Sequence, residues 1–315
     1  MKHSVMILSG GTAGAWHMCQ VLRAHFEGVR VVLCDCNPPH LVAAALLADL
    51  CIQVPMICED SYYQRMLEIL DEEKPDLLIP LIDHDLLLFP QDNPDLLRRG
   101  IHSTAACKKS GEILSNKRHM CDFLKDIEIA TPMLYAADKV EENRFYYIKK
   151  AVGFGSRGAR KQKGSEIRTG VIEDEIIQEY CFPPEITVDA LYTGKTLHCV
   201  CRERIEVKAG VCTKARIFFE EEIQETLEKI AAYIQLPALF CVQFMQDEGG
   251  RRLLTDFNLR IGGGTALSAA AGFQAARAAF MVWLDDGEPG EDWLKTPLPL
   301  EERFVLRTYQ EWVSR

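Results

Sequence analysis

Three polar residues near the C-terminal end of the chain, Asp256, Asn258 and Arg260, alternate with apolar residues over residues 256–261. A period of two is typical of a β-strand, in which successive side chains point to opposite faces of the sheet. Upstream of them, residues 247–250 read Asp-Glu-Gly-Gly, a turn signal between two runs of β-favouring residues. The pattern predicts a hairpin whose second strand carries the three polar side chains on one face.

The first strand of this hairpin adds a further polar group to the same face. If the turn closes Gln246 against Arg251, Gln243 falls opposite Leu254 and diagonal to Asp256. The face then holds a carboxylate, two amide oxygens and a guanidinium. The oxygens suit a hard cation such as Mg²⁺, and the guanidinium suits phosphate. The alternative is a solvent-facing polar edge of an ordinary hairpin.

The composition is that of a globular protein large enough for two or three domains. Of 315 residues, 48% are hydrophobic and 26% are charged, and no apolar run is long enough to cross a bilayer. The formal net charge of −10 argues against nucleic acid as a partner. The twelve cysteines lack CxxC pairing, so we expect buried free thiols, including Cys34, Cys36, Cys199 and Cys201. With no signal-peptide pattern at the start, we expect a cytoplasmic location.

The first hundred residues alternate short β-rich runs with longer helical patterns. Strands are predicted at residues 5–8, 29–33 and 77–81, and helices at residues 13–27, 41–48 and 61–73. Strands that alternate with helices predict βαβ units, and therefore a doubly wound parallel sheet in an α/β domain.

A glycine-rich turn follows the first predicted strand, and an acidic residue ends the second. Residues 9–14 read Ser-Gly-Gly-Thr-Ala-Gly, and Asp35 lies about twenty residues further on, as in a dinucleotide-binding fingerprint. The spacing is not GxGxxG, however, and such a turn can equally bind a carboxylate or a phosphate through its N–H groups. Asp83, His84 and Asp85 follow a later strand, where they are either cleft residues or the start of a helix.

The middle of the chain carries two lysines and a glycine-rich loop. Lys117 opens a predicted helix, and Lys149 lies in an apolar strand that residues 151–158 follow. The loop offers backbone N–H groups to a polyphosphate and Lys149 offers a point charge, whereas the alternative is a surface hairpin tip. Glu185 follows a Pro-Pro break in a later strand, and the backbone at such a break can contact an adenine edge.

Five basic residues are concentrated within residues 202–216 of an otherwise acidic chain. We expect at least one of them to have a functional role, and the alternative is a solvated hairpin. They are Arg202, Arg204, Lys208, Lys214 and Arg216.

Together these segments resemble the ATP-grasp superfamily, in particular the carboxylate–amine ligases similar to one half of a carbamoyl phosphate synthetase large subunit. The resemblance rests on the helix-opening lysine, I-x-x-P, Y-I-K with the glycine-rich loop, Q-E-Y-C, E-x-x-V-D, and V-Q-F with D-F-N-L-R-I-G-G-G. It covers nearly the whole chain. It implies an N-terminal α/β domain at residues 1–102, a small ATP-grasp subdomain at 103–182 and a C-terminal subdomain at 183–315.

The resemblance also implies a role for each matching residue. Lys117 and Lys149 would hold the α- and β-phosphates of ATP, and Arg260 would meet the transferred phosphoryl group. The γ-phosphate or the substrate carboxylate would face Arg202 and Arg204. The adenosine would contact Glu179, Tyr180, Cys181 and Glu185. A lid over the phosphates would include Gly155, Ser156, Arg157 and Gly158, within residues 153–158. Mg²⁺ or Mn²⁺ would be held by Gln243, Asp256 and Asn258.

Two residues depart from the family pattern. Asp256 stands where glutamate is usual, and Leu259 stands where proline is usual. Because aspartate is one methylene shorter, Asp256 favours one bound ion over a bridge between two.

The expected activity is the ATP- and Mg²⁺-dependent joining of a carboxylate to an amine through an acyl phosphate. The expected partners are therefore small-molecule carboxylates and amines, and a homodimer is compatible with the resemblance. Three alternatives remain, namely an ATP-grasp kinase, a nucleotide-binding protein without turnover and, from the N-terminal glycines, a dehydrogenase.

Overall fold

In the computed structural model of this protein, the strands of the described residues form three sheets. The structure describes residues 3–153, 158–167, 174–208, 210–285 and 301–314.

The N-terminal sheet is parallel and has helices on both faces. Its strands are β1 (Ser4–Leu8), β2 (Arg30–Asp35), β3 (Leu50–Gln53), β4 (Leu77–Ile79) and β5 (His102–Ser103), in the order β3-β2-β1-β4-β5. The helices are α1 (Ala13–His25), α2 (Ser61–Glu73), α3 (Asp83–Leu88) and α4 (Pro94–Arg99). Separate buried clusters cover the two faces of the sheet, which is why β1 is an almost unbroken apolar run. The predicted doubly wound parallel sheet is confirmed.

The predicted helix at residues 41–48 is wrong. Two short 3₁₀ helices, Pro39–Leu41 and Ala43–Leu47, take its place. Val42 between them is buried and extended, with φ −105° and ψ 106°. Because the chain turns Val42 into the core at this point, a continuous helix cannot form.

A small antiparallel sheet follows two helices, α5 (Lys108–Leu114) and α6 (Lys117–Asp126). Its strands are β6 (Leu134–Tyr135), β7 (Phe145–Lys150), β8 (Arg160–Lys163) and β9 (Glu175–Glu179), in the order β6-β9-β7-β8. A short helix, α7 (Gly164–Ile167), follows β8.

The largest sheet has six antiparallel strands. They are β10 (Phe182–Tyr192), β11 (Leu197–Lys208), β12 (Val211–Phe218), β13 (Leu239–Gln246), β14 (Arg252–Asn258) and β15 (Arg303–Leu306), in the order β14-β13-β10-β11-β12-β15. Its helices are α8 (Glu221–Tyr233), α9 (Thr265–Ala270) and α10 (Ala275–Asp285).

One hydrophobic cluster joins the parallel sheet to the six-stranded sheet. It includes Val5 of β1, Ile217 of β12 and Phe280 of α10, and Phe280 contacts Phe26 at a ring-centroid distance of 5.6 Å. The two sheets are therefore parts of one packed structure, and the domain boundaries at residues 102 and 182 stay predictions. No helix within the described ranges is long and apolar enough to span a membrane.

The twelve cysteines are all free, but the prediction that they are buried is only partly right. Cys34, Cys199 and Cys201 are buried, whereas Cys36 is exposed. Cys36 lies just past the end of β2, where the strand leaves the core.

Candidate active site

A cavity of about 370 Å³ lies between the four-stranded and the six-stranded sheets. Its wall combines aromatic and apolar side chains with a few charged groups, which is the usual make-up of a small-molecule site. The lining includes Lys117, Tyr147, Lys149, Val152, Gln178, Tyr180, Cys181, Glu185, Gln243, Met245, Thr255 and Asp256.

Two lysines from different elements meet at one end of this cavity. Lys117 Nζ lies 3.3 Å from Asp256 Oδ1 and donates to the carbonyl oxygen of Gly153, also at 3.3 Å. Lys149 Nζ donates to the carbonyl oxygen of Thr255 at 2.9 Å. Removal of Lys149 from water lowers its pKa, and the nearby Asp256 carboxylate opposes that shift. Two ammonium groups beside one carboxylate make this end of the cavity suited to an anion.

Local sequence explains how each lysine reaches the cavity. Lys117 is the first residue of α6, and the Asn116 side chain caps that helix by accepting the Arg118 N–H. Lys149 lies on β7, between β8 and β9 in the small sheet. The alternation of β7 buries Tyr146 and Ile148 on the opposite face from Lys149, which explains a lysine inside an apolar strand.

Gln243 and Asp256 face each other directly across the hairpin of β13 and β14. The predicted register, with Gln246 against Arg251 and Gln243 opposite Leu254, is wrong for two reasons. The turn closes Gln246 against Arg252, and a bulge at Thr255 then moves the partner of Gln243 by one more residue, to Asp256. The Thr255 hydroxyl donates to the Gln243 carbonyl oxygen at 3.1 Å, and the backbone carbonyl oxygen of Thr255 accepts the hydrogen bond from Lys149. The bulge therefore brings an amide, a carboxylate and an ammonium group together.

Asn258 and Arg260 continue beyond Asp256 and do not line the cavity itself. Asn258 is the last residue of β14 and lies opposite Cys241. Arg260 Nε donates to Asp83 Oδ1 at 3.1 Å, and Nη1 donates to the carbonyl oxygen of Ile261 at 3.2 Å. Because Asp83 begins α3, Arg260 connects the six-stranded sheet to the N-terminal part.

The Asp83-His84-Asp85 segment serves both as a helix start and as part of the cleft. Asp83 and Asp85 lie in the first turn of α3, and His84 lines the cavity. Asp85 is buried, and its carboxylate accepts hydrogen bonds from the hydroxyls of Ser9 and Tyr62, both at 2.7 Å. Burial raises the pKa of Asp85, and the two hydroxyl donors oppose that shift. Of the three residues, only His84 lines the cavity.

The break between β9 and β10 falls at Tyr180 and Cys181, which both line the cavity. Glu179 precedes the break, and its N–H and carboxylate are both bonded to the backbone of Met133, at 2.8 and 3.2 Å. Lys161 Nζ lies 3.9 Å from the centroid of the Tyr180 ring. These contacts hold the start of the segment whose backbone is predicted to contact adenine.

Glu185 and Arg204 form an ion pair next to this segment, and Glu185 lines the cavity. Arg204 also donates to the carbonyl oxygen of Gly210 at 3.3 Å. Arg204 therefore orients Glu185, the residue predicted to contact the ribose.

Arg202 lies in the protein interior, away from the cavity lining where the resemblance would put it. Its side chain is 3% exposed, and Nε donates to Asp189 Oδ2 at 3.1 Å. Successive residues of β11 point to opposite faces of the sheet, so Cys201 and Arg202 lie on different faces. Both residues are buried, which shows that the sheet is covered on both sides at this point. Asp189 gave no separate signal in the sequence beyond its place in the E-x-x-V-D motif.

Only part of the predicted lid can be placed. Gly153 lines the cavity, and Gly158 has a φ of +77°, which favours glycine. Gly155, Ser156 and Arg157 lie outside the described residues, so their predicted contacts stay predictions.

The predicted metal ligands fit an ion that arrives with a nucleotide. Across the described ranges, no three His, Cys, Asp or Glu side chains are close enough to hold a metal ion by themselves. The predicted set has one carboxylate, Asp256, with amide groups from Gln243 and Asn258. Mg²⁺ commonly takes one or two protein carboxylates and fills its other positions with water and substrate phosphates. This donor set therefore fits Mg²⁺ bound to a polyphosphate.

Asp35, the acidic residue of the dinucleotide-like pattern, already accepts hydrogen bonds from neighbouring residues of the protein. It is 7% exposed, Oδ2 accepts the Gly11 N–H at 2.7 Å, and Oδ1 accepts the Asn37 N–H at 2.8 Å. Because these bonds hold the carboxylate against the glycine turn, the arrangement disfavours a ribose ligand there.

Two family descriptions match separate parts of the chain. Residues 5–103 match "PylC-like, N-terminal domain", and residues 172–301 match "ATP-grasp in the biosynthetic pathway with Ter operon". No curated protein matches the sequence.

Solved structures share the fold at low sequence identity. N5-carboxyaminoimidazole ribonucleotide synthetase from Thermotoga maritima is 14% identical, with a TM-score of 0.66 over 90% of this chain and 76% of that chain. L-amino acid ligase from Bacillus licheniformis is 11% identical, with a TM-score of 0.70 over 90% and 74%. The biotin carboxylase domain of 2-oxoglutarate carboxylase from Hydrogenobacter thermophilus, solved as a dimer with MgADP, is 13% identical, with a TM-score of 0.69 over 93% and 72%. The chain therefore matches a PylC-like N-terminal domain over residues 5–103 and an ATP-grasp domain over residues 172–301, and it shares its fold with these solved structures.

Proposed function

We propose that this protein is an ATP- and Mg²⁺-dependent ligase that joins a small-molecule carboxylate to an amine. The carboxylate is activated as an acyl phosphate, and ADP and phosphate are released. The observation that carries the proposal is the convergence of Lys117, Lys149 and Asp256 on one cavity, with Lys117 Nζ and Asp256 Oδ1 3.3 Å apart. The shared fold of an L-amino acid ligase and an N5-carboxyaminoimidazole ribonucleotide synthetase supports the same class.

The residues match what this chemistry requires. A carboxylate reacts poorly with an amine because its leaving group would be an oxide, so phosphorylation has to come first. The protein must then neutralise charge around the moving phosphoryl group and hold the nucleophile in place. Lys117 and Lys149 supply positive charge, and Gln243, Asp256 and Asn258 would hold the ion. When bound, Mg²⁺ neutralises charge on the phosphate oxygens.

Arg260 is the residue proposed to meet the transferred phosphoryl group. Its Nε and Nη1 donate to Asp83 and to the Ile261 carbonyl oxygen. Nη2 is therefore the nitrogen proposed to donate to the phosphoryl oxygens. The adenosine is proposed to lie along Tyr180, Cys181 and Glu185.

The proposed partners are small molecules, and the proposed assembly is a homodimer. The dimeric biotin carboxylase domain, which has the same fold, supports the assembly. Size-exclusion chromatography with light scattering tests it directly.

ADP release with ATP, Mg²⁺ and mixtures of amino acids tests the activity. ADP release that needs both a carboxylate and an amine is the expected result. A stable phosphorylated product would instead identify a kinase, and ATP binding without any ADP release would identify a non-catalytic binding protein. NADH binding at micromolar concentration would favour a dehydrogenase.

A matched pair of lysine variants connects this activity to the cavity. Lys149→Met should weaken ATP binding about tenfold or more, because it removes an ammonium group from the phosphate end. Lys163→Met changes a lysine at the end of the neighbouring strand, β8, outside the cavity lining. Calorimetry should show ATP affinity lowered by the first change and retained by the second.

A further inference from the structure

A buried carboxylate lies beneath the loop of residues 262–264, which leads from Arg260 to α9. Asp189 of β10 is 2% exposed and accepts four hydrogen bonds. Arg202 Nε and Nη2 donate at 3.1 and 3.5 Å, Thr265 Oγ1 at 2.7 Å and Ser268 Oγ at 2.6 Å. All three donor residues are at least nine-tenths buried, so this is a closed polar network.

The network holds the loop from below. Thr265 Oγ1 donates to Asp189 and also accepts the Gly262 N–H at 3.1 Å. The Arg202 guanidinium fills the space beneath Gly264, where any side chain would collide with it. From the other side, Arg307 Nη2 donates to the Gly263 carbonyl oxygen at 2.9 Å.

One peptide group connects this network to Arg260. The N–H of Gly262 and the carbonyl of Ile261 belong to the same planar unit, so fixing the direction of one fixes the other. The N–H is bonded to Thr265 Oγ1, and the carbonyl oxygen accepts Arg260 Nη1 at 3.2 Å. A continuous chain of hydrogen bonds therefore runs from Asp189 through Thr265 and this peptide to the Arg260 guanidinium.

We infer that Asp189 and Thr265 are positioning residues that set the orientation of Arg260 for phosphoryl transfer. A buried carboxylate–arginine pair is a poor source of stability, because desolvation offsets much of its attraction. Hydrogen bonds in a chain polarise and strengthen one another, so this network defines direction better than apolar packing would. The inference rests on the proposed function, since it gives Arg260 its role there.

Thr265 and Ser268 provide a matched test. Each hydroxyl donates one hydrogen bond to Asp189, but only Thr265 also accepts the Gly262 N–H. Thr265→Val and Ser268→Ala should therefore disturb Asp189 similarly, while only Thr265→Val breaks the chain to Arg260. We expect Thr265→Val to lower kcat about tenfold with little change in the KM for ATP, and Ser268→Ala to keep kcat within about twofold. Thr265→Ser, which restores the hydroxyl, should recover most of the lost rate.

Hydrogen exchange gives a second readout that needs no turnover. Peptides covering residues 259–264 should exchange faster in Thr265→Val than in Ser268→Ala or the wild type. Equal kcat and equal exchange in the two variants would overturn the inference. A wild type that releases no ADP with any carboxylate and amine would count against the proposed function alone, since the exchange comparison still tests the hydrogen-bond chain.

Discussion

The charge balance around Asp256 decides how the cavity can bind a metal ion. Asp256 lies 3.3 Å from the Lys117 ammonium group, and Lys149 lies within the same cavity. An ion that came alone would meet two ammonium groups and one carboxylate, whereas an ion that came with a polyphosphate would bring compensating negative charge. The arrangement favours uptake of the metal–nucleotide complex.

Replacing Asp256 tests this balance. Asp256→Asn keeps the shape of the side chain and removes the only negative charge of the predicted metal set, so ATP turnover should fall by about a hundredfold or more. Asp256→Glu, which restores the residue usual in the family, should retain activity within about tenfold. Because the Lys117 side chain is only 7% exposed, the change leaves a buried ammonium group without its charged partner, and the free energy of unfolding should fall by roughly 1 to 3 kcal/mol. Turnover of Asp256→Asn with an unchanged Mg²⁺ requirement would remove Asp256 from the metal site.

How well an element could be predicted from the sequence depends on whether its cause is local or distant. Helix α2 begins and ends at the predicted residues, Ser61 and Glu73, because its amphipathic pattern is strong and local. The bulge at Thr255 was missed because its cause is distant. Leu254, just before it, still pairs with Phe244 of β13, but its N–H donates to the Ala130 carbonyl oxygen and its own carbonyl oxygen accepts a hydrogen bond from the Thr131 hydroxyl. Contacts between segments more than a hundred residues apart leave no local trace in the sequence.

The same difference between local and distant causes applies to the candidate site. Lys117, Lys149, Glu185, Gln243 and Asp256 all line the cavity, and each was visible in a short motif. The contact of Arg260 with Asp83 and the burial of Arg202 against Asp189 depend instead on how separate elements pack. Motif spacing predicts which residues a strand presents, but tertiary packing decides which of them reach the cavity.

Helix α6 provides a prediction at this scale, because its cap and its lysine are adjacent. Asn116→Ala removes the cap, which should lower the free energy of unfolding by about 1 kcal/mol. ATP affinity should fall severalfold as well, since Lys117 is the first residue of the helix. Asn93→Ala is the control, because Asn93 caps α4 outside the cavity lining; its amide also donates to Tyr63 and to the Leu88 carbonyl oxygen, so this variant should lose more stability than Asn116→Ala.

Thermal unfolding and calorimetry separate the two effects. We expect both variants to lose stability and only Asn116→Ala to lose ATP affinity. An unchanged ATP affinity in Asn116→Ala would mean that the start of α6 does not hold Lys117 in place.

At the scale of the whole molecule, polar residues from distant parts of the chain meet where the parallel sheet packs on the six-stranded sheet. His17 comes from α1, Asp189 from β10 and Arg307 from the segment after β15. His17 is 8% exposed, and its Nε2 has no hydrogen-bond partner among the described residues. Burial lowers the pKa of His17 from 6.5 to about 4; Asp189 opposes the shift and Arg307 adds to it.

This shift predicts an acid-sensitive contribution to stability. The folded pKa lies below that of the unfolded chain, so the unfolded state takes up the proton first as the pH falls. The stability that comes from keeping His17 neutral is therefore fully present above pH 6.5 and is lost as the pH falls towards 4. His17→Phe keeps a flat ring and removes the titration, so the stability difference between wild type and variant should shift by roughly 2 to 3 kcal/mol between about pH 7.5 and 4.5. Urea denaturation at constant ionic strength measures it, with His102→Phe, at an exposed histidine of β5, as the control. Parallel stability curves for His17→Phe and the wild type would show that His17 is not held neutral where the two sheets pack together.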